Sequence, residues 1–195
     1  MIRYKMIEII IIILAIIVFI FLCTVGWAIG TYNWFVNLKQ STKTQWSNIK
    51  AEYQRRADLF ANLATSVKSH KKFEKETLKE VIEARSKGIT GTMPQQKKKM
   101  QGMDAVFSKL LAVFEKYPEL KSIEQYNKFT DEVRITEDRV NIARTDYNDI
   151  VREYNIGIKV FPKSIIANMF KFSEEKFYAN NPSSEKEESY RVSLD

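Results

Sequence analysis

The chain of 195 residues is poor in the side chains that most often carry chemistry, with one cysteine and one histidine. A single Cys excludes a disulfide framework, a cysteine-rich zinc site and a CxxC redox pair. A single His excludes histidine-rich metal sites and leaves little for general acid–base work. Six glycines and four prolines supply few turns, so the elements between them are expected to be long. Nucleotide and catalytic signatures are absent too: there is no GxGxxG, P-loop, HExxH, GxSxG or EF-hand loop. No Glu-x-x-His pair occurs, which removes the usual di-iron arrangement of a helical bundle. The lone His70 stands beside Lys71 and Lys72 and reads as a solvent-facing or capping residue. Neither catalytic nor metal-ligating residues can be assigned, no cofactor is expected, and the chain reads as non-enzymatic.

What is present begins with an apolar run. Ile9 to Leu38 contains no charge, and Ile9 to Ile29 is almost entirely Ile, Leu, Val, Phe and Ala. As a helix those residues would be about 31 Å long, the thickness of a bilayer's hydrocarbon core. Trp27, Tyr32 and Trp34 follow where an interfacial aromatic belt belongs. The run is too long for a signal-peptide core, and no A-x-A-like site follows it. Leu22 before Cys23 also argues against a lipoprotein. Residues 1–30 are therefore expected to be an uncleaved single-pass membrane anchor, in contact with lipid through this helix. Arg3 and Lys5 on one flank are matched by Lys39 and Lys43 on the other, which leaves the side of the following domain undecided. No breaker lies between Thr31 and Leu38, so anchor and first bundle helix are expected to be continuous.

Residues 31–180 show helical rather than strand periodicity. A first stripe reads Phe35, Thr42, Trp46, Ile49, Tyr53, Phe60, Leu63 and Val67, with Arg56 on the same face. A shorter pattern, Phe73, Leu78, Val81 and Ile82, ends near Lys87, where Gly88, Gly91 and Pro94 break the chain. Met100, Met103, Phe107, Leu110, Phe114 and Tyr117 form a third stripe that stops at Pro118. In the fourth, Tyr126, Val133, Val140, Tyr147, Tyr154 and Phe161 recur every seven residues, with Phe129, Ala143 and Ile150 between them. The expected fold is all-α: a transmembrane helix followed by an elongated, antiparallel four-helix bundle with coiled-coil-like seams. Pro162 closes the fourth helix. After it, Lys163, Lys171 and Lys176 with Phe170, Phe172, Phe177 and Tyr178 make a short amphipathic piece. Residues 181–195 read as a disordered polar tail.

Charge is distributed unevenly. Lys68, Lys71, Lys72, Lys75, Lys79, Arg85, Lys87, Lys97, Lys98 and Lys99 stand against four glutamates, a net +6. Asp131 to Asn155 holds seven acidic residues and four basic, a net −3. The two regions can complement one another, or the basic one can contact a protein partner or anionic lipid. Nothing resembles a nucleic-acid module or a small-molecule site, so the partners expected are the bilayer, another protein or a second copy. Arg56, if enclosed, needs a counter-charge, and Glu137 or Asp138 in the fourth helix is the expected structural partner. The Tyr-Asn pairs at Tyr32, Tyr126, Tyr147 and Tyr154 suggest amides bonding across helices to satisfy buried tyrosine hydroxyls.

An ordered set of motifs then becomes apparent: Trp46-Ser47-x-Ile49, Arg55-Arg56-x-Asp58-Leu59, Asn62-Leu63, Val67-Lys68 and Ala84-Arg85. In the second half come Tyr117-Pro118-Glu119-Leu120-Lys121, Arg139-Val140-x-x-Ala143-Arg144-x-x-Tyr147-Asn148, Tyr154-Asn155 and Phe161-Pro162. In order and spacing this set resembles the LemA family. The resemblance implies a bacterial single-pass membrane protein with a four-helix-bundle domain, and it implies no activity; the expected role is that of a non-enzymatic adaptor or scaffold of the cell envelope, the alternative being a basic bundle surface that binds anionic lipid in membrane shaping or stress sensing. The chain departs from the family pattern in having Phe60-Ala61 where a Pro is usual, and Phe73-Glu74 where a His-Glu pair is common.

Overall fold

A computed structural model describes residues 2–67, 75–116 and 124–178. The described residues contain helices and no strands. They are α1 (Ile2–Val67), α2 (Lys75–Lys87), α3 (Met93–Lys116), α4 (Glu124–Lys159) and α5 (Lys163–Met169), followed by an extended segment to Tyr178. The apolar run and the first bundle stripe are thus one uninterrupted helix. The run is long and apolar enough to cross a membrane, with none of its most apolar stretch buried.

The chain divides into two compact units, Thr44–Asp146 and Met1–Lys43 with Tyr147–Asp195. In the first unit, Trp46, Tyr53 and Phe60 of α1 meet Gln96, Asp104 and Phe107 of α3, so α1 and α3 run parallel. Tyr53, Arg56 and Phe60 meet Arg144, Glu137 and Phe129 of α4 in reverse order, making α4 antiparallel to both. Glu80 of α2 reaches Lys109 of α3 while Lys87 lies near Lys99, again antiparallel. The result is an up-down-up-down four-helix bundle, as short connections require. Phe60 stacks on Phe107 (4.1 Å between centroids) and takes Phe129 edge-on (5.3 Å). Ile49, Tyr53, Val81, Met100, Leu110 and Val140 are fully buried around them.

The break between α2 and α3 is shorter than the glycines and proline suggest. Gly88, with φ of 53°, ends α2 by donating to the Arg85 carbonyl. Pro94 lies inside the first turn of α3, where its missing N–H costs nothing. At its start Gln95 Oε1 accepts from the Thr92 N–H at 2.9 Å, the glutamine half of a capping box.

In the second unit, Phe35, Tyr154 and Ala167 form a core flanked by Trp34, Leu38, Ile158 and Phe172. Gly157 is required here, because a Cβ would fall 2.4 Å from the Trp34 ring. The heptad of α4 holds from Val133 through Val140 and Tyr147 to Tyr154, all buried, and then fails. Phe161 is 76% exposed, since α4 has ended at Lys159 and the chain turns through a cis Phe161–Pro162 bond. Ile150 is half-buried while Val151 is fully enclosed. A seven-residue repeat drifts by about 20° per heptad on a straight helix, which moves the buried face to the next residue. Phe73, Tyr117, Pro118, the Tyr126 side chain and the tail from residue 181 lie outside the described residues.

Candidate functional site

The most organised polar site lies in the four-helix unit. Arg56 is 6% exposed, its guanidinium carbon 5.7 and 5.3 Å from the ring centroids of Phe60 and Phe107. A buried cation is tolerable only with counter-charge and hydrogen bonds. Arg56 Nη1 donates to Asp104 Oδ1 at 3.0 Å, and Nη2 donates to Glu137 Oε1 at 2.8 Å. Asp138, the other partner expected from sequence, is exposed. Asp104 Oδ2 accepts from the Tyr53 hydroxyl at 2.8 Å and from Arg144 Nη2 at 3.2 Å. Arg144 Nη2 also donates to the Tyr53 hydroxyl, and its guanidinium lies 5.4 Å from that ring's centroid.

Two guanidiniums therefore share one aspartate, and a glutamate balances the second positive charge. The arrangement ties α1, α3 and α4 together and offers no free nucleophile or base. Sequence reasoning missed Asp104, Arg144 and Tyr53 as members. One signal was available: Asp104 is the lone carboxylate between Glu83 and Glu115, in a stretch crowded with lysines.

The basic stretch is less bare than its composition suggests. Arg85 Nε donates to Asp58 Oδ1 at 2.7 Å, and Lys79 and Lys87 both pair with Glu83, at 3.9 and 3.3 Å. Lys99 donates to Thr90 Oγ1 at 2.8 Å. Lys75 and Lys98 are exposed and Lys97 is half-buried. Thr90, Gly91, Gln95, Lys98 and Lys99 line a shallow surface depression. Lys68, Lys71, Lys72 and His70 lie outside the described residues. Among the described residues no group of three His, Cys, Asp or Glu side chains could hold a metal ion.

The second unit holds the feature that sequence reasoning did not foresee. The side chains of Asn148 and Asn155 clasp the backbone of the extended segment. Asn155 donates to the Glu175 carbonyl and accepts from the Glu175 N–H, both at 2.9 Å. Asn148 does the same for Tyr178, donating at 3.2 Å and accepting at 2.7 Å. The Tyr147 hydroxyl donates to the Lys176 carbonyl at 2.9 Å. The geometry follows from pitch: seven helical residues rise about 10.5 Å and three extended residues about 10 Å, so a heptad of Asn meets every third strap residue. An extended backbone without a sheet partner needs such substitutes. Burial, reinforced by the nearby Glu175 carboxylate, pushes the Tyr147 hydroxyl up to about 12 and raises that of Tyr154. The Tyr154 hydroxyl is buried without a hydrogen-bond partner among the described residues.

Comparison with known proteins gives consistent matches. The model of the LemA family matches residues 45–193. Magnetosome protein MamQ 1 of Paramagnetospirillum magneticum is 25% identical over 178 residues, covering 77% of this chain and 65% of its own length. Magnetosome protein MamQ of Magnetospirillum gryphiswaldense is 24% identical with the same coverage. Protein LemA of Metamycoplasma hominis is 28% identical over 143 residues, covering 71% of this chain and 64% of its own length. The chain spans just under two thirds of the length of these curated relatives.

Proposed function

The chain belongs to the LemA family, and from that premise we propose that it is a membrane-anchored, non-enzymatic adaptor or scaffold of the bacterial cell envelope. The observation that carries this reading is the continuity of α1, one helix that bears both the apolar run and the first seam of the bundle. Polar organisation in the four-helix unit supports the same reading, because its buried charges are spent on helix pairing. The exposed lysines of α2 and α3, Lys75 and Lys98 among them, are then available to an acidic protein partner.

In-cell crosslinking of the full-length protein, followed by mass spectrometry of what co-purifies, tests the proposal. A protein recovered at fixed ratio and lost with K75E/K98E supports it. Recovery of only the chain itself or phospholipid overturns it. A second reading, that the α2–α3 surface binds anionic lipid, draws support from the basic depression at Lys98 and Lys99. It requires sedimentation with anionic vesicles to persist at about 150 mM salt, where exposed charges beyond roughly 8 Å are screened.

A further inference from the structure

The turn that joins α4 to the strap presents apolar side chains to solvent. Phe161 is 76% exposed, Met169 66%, Phe170 52% and Ile165 48%. They are the outer face of a short amphipathic element whose inner face, Ile166 and Ala167, is buried. Single exposed apolar residues are ordinary; four together, on one turn, are not.

Their height along α1 is fixed by contacts. Phe170 lies 4.7 Å from Tyr32 between ring centroids, and Lys163 Nζ stands 3.6 Å above the Trp34 ring. Tyr32 and Trp34 are three and five residues beyond Ile29, the end of the apolar run, or about 4.5 and 7.5 Å along the helix. A bilayer's headgroup zone extends about 5–7 Å past its hydrocarbon core on each side. The charge pattern suits that depth. No carboxylate occurs between Glu153 and Glu174, whereas Lys159, Lys163 and Lys171 all do; Lys159 pairs with Glu174 at 3.2 Å, and Lys163 and Lys171 carry the remaining positive charge. Apolar side chains ringed by lysines are the composition of an interfacial element. A second copy is a poorer occupant, because two such basic collars would repel one another.

We infer that the Val160–Lys171 turn is a membrane-interface collar: Phe161, Ile165, Met169 and Phe170 enter the headgroup–acyl boundary, and Lys163 and Lys171 meet anionic headgroups. The inference rests on the reading that α1 crosses the bilayer, and it differs from lipid binding by α2 and α3. The collar turns the anchor from a single attachment into two.

The test uses full-length protein carrying C23S and one nitroxide-labelled cysteine, reconstituted into vesicles of phosphatidylcholine with a minor fraction of phosphatidylglycerol. The positions are F161C, I165C and M169C, with I16C as the in-membrane reference and I142C as the solvent reference. All five are exposed, so the labels leave the packing intact. Collision rates with oxygen and with a water-soluble nickel chelate report depth. The collar positions are expected to be severalfold better shielded from the chelate than position 142 and to remain open to oxygen, at lesser depth than position 16. Chelate access equal to that at 142, with position 16 shielded, overturns the collar and leaves the anchor standing. Chelate access at position 16 overturns the anchor and the collar with it. Shielding from both reagents at 161, 165 and 169 means a protein–protein contact and also overturns the inference.

Discussion

Replacing Asp104 by Asn isolates the charge at the centre of the bundle while keeping its shape. In the wild type this carboxylate accepts from Arg56, Arg144 and Tyr53, at 3.0, 3.2 and 2.8 Å. Removing a partner from a buried ion pair costs about 3–5 kcal/mol, because the remaining charge stays enclosed. Two features lower that figure. The Asp104 side chain is 34% exposed, and Glu137 still balances Arg56. Hydrogen bonds to charged groups are each worth about 1.5–3 kcal/mol, so losing the charge of two of them partly should cost about 2–3 kcal/mol. For a chain of this size that lowers Tm by roughly 5–10 °C. The measurement is thermal unfolding of the full-length protein in mild detergent, followed by circular dichroism. Glu137→Gln is the control: its partner is the same arginine, but its side chain is half in solvent, and the loss should stay near or below about 1 kcal/mol. A double-mutant cycle of Asp104→Asn with Arg144→Met should return a coupling of about 1–2 kcal/mol. If Asp104→Asn melts with the parent, or the cycle shows no coupling, Asp104 does not hold the arginines and the account of the site is wrong.

Three further outcomes follow from other parts of the chain. Gly157→Ala should destabilise by about 1–3 kcal/mol despite the better helix propensity, because its Cβ would meet the Trp34 ring; Gly102→Ala in α3, with nothing within 4 Å, should stabilise by about 0.5–1 kcal/mol, and paired melting curves check both. The neutral Tyr147 hydroxyl is favoured in the folded state, so its contribution is complete below its ordinary pKa of 10.0 and is lost as pH rises towards about 12; urea midpoints should hold to near pH 10, decline above it, and decline less in Tyr147→Phe. Asn155→Ala removes both bonds to Glu175 and should cost about 2 kcal/mol, seen as faster tryptic cleavage at Lys171 and Lys176.

How much of this was legible depended on whether a residue's role repeats along the chain. The α3 seam through Met100, Met103, Phe107 and Leu110 is written in steps of three and four, and each of those residues is buried. Arg56 was conspicuous because a cation on an apolar stripe demands an explanation, and the choice of partner narrowed to neighbouring acids on α4. Asp104 and Arg144 were invisible because each sits one position beyond a seam residue, where charge ordinarily faces water. The strap was invisible for a different reason: Glu175, Lys176 and Tyr178 satisfy backbone groups through side chains of α4, which leaves no period of their own. Counting lysines likewise said nothing of Asp58, which takes Arg85 from across the bundle, or of Glu83, which takes Lys79 and Lys87 within α2.

The separation in sequence between α1 and its partners sets a timetable for synthesis. Arg56 and Tyr53 first meet Asp104, 48 and 51 residues later, but Arg56 gains Glu137 only after 81 residues and Tyr53 gains Arg144 only after 91. At about 5–20 residues per second, translation takes roughly 4–18 s to deliver the α4 partners. The α2–α3 hairpin needs no such delay, since Glu80 and Lys109 are 29 residues apart. The nascent protein therefore carries the α1 seam uncovered on its α4 side for several seconds, with Arg56 meeting Asp104 before Glu137, and α4 is the last bundle helix to arrive and the one that closes the seam.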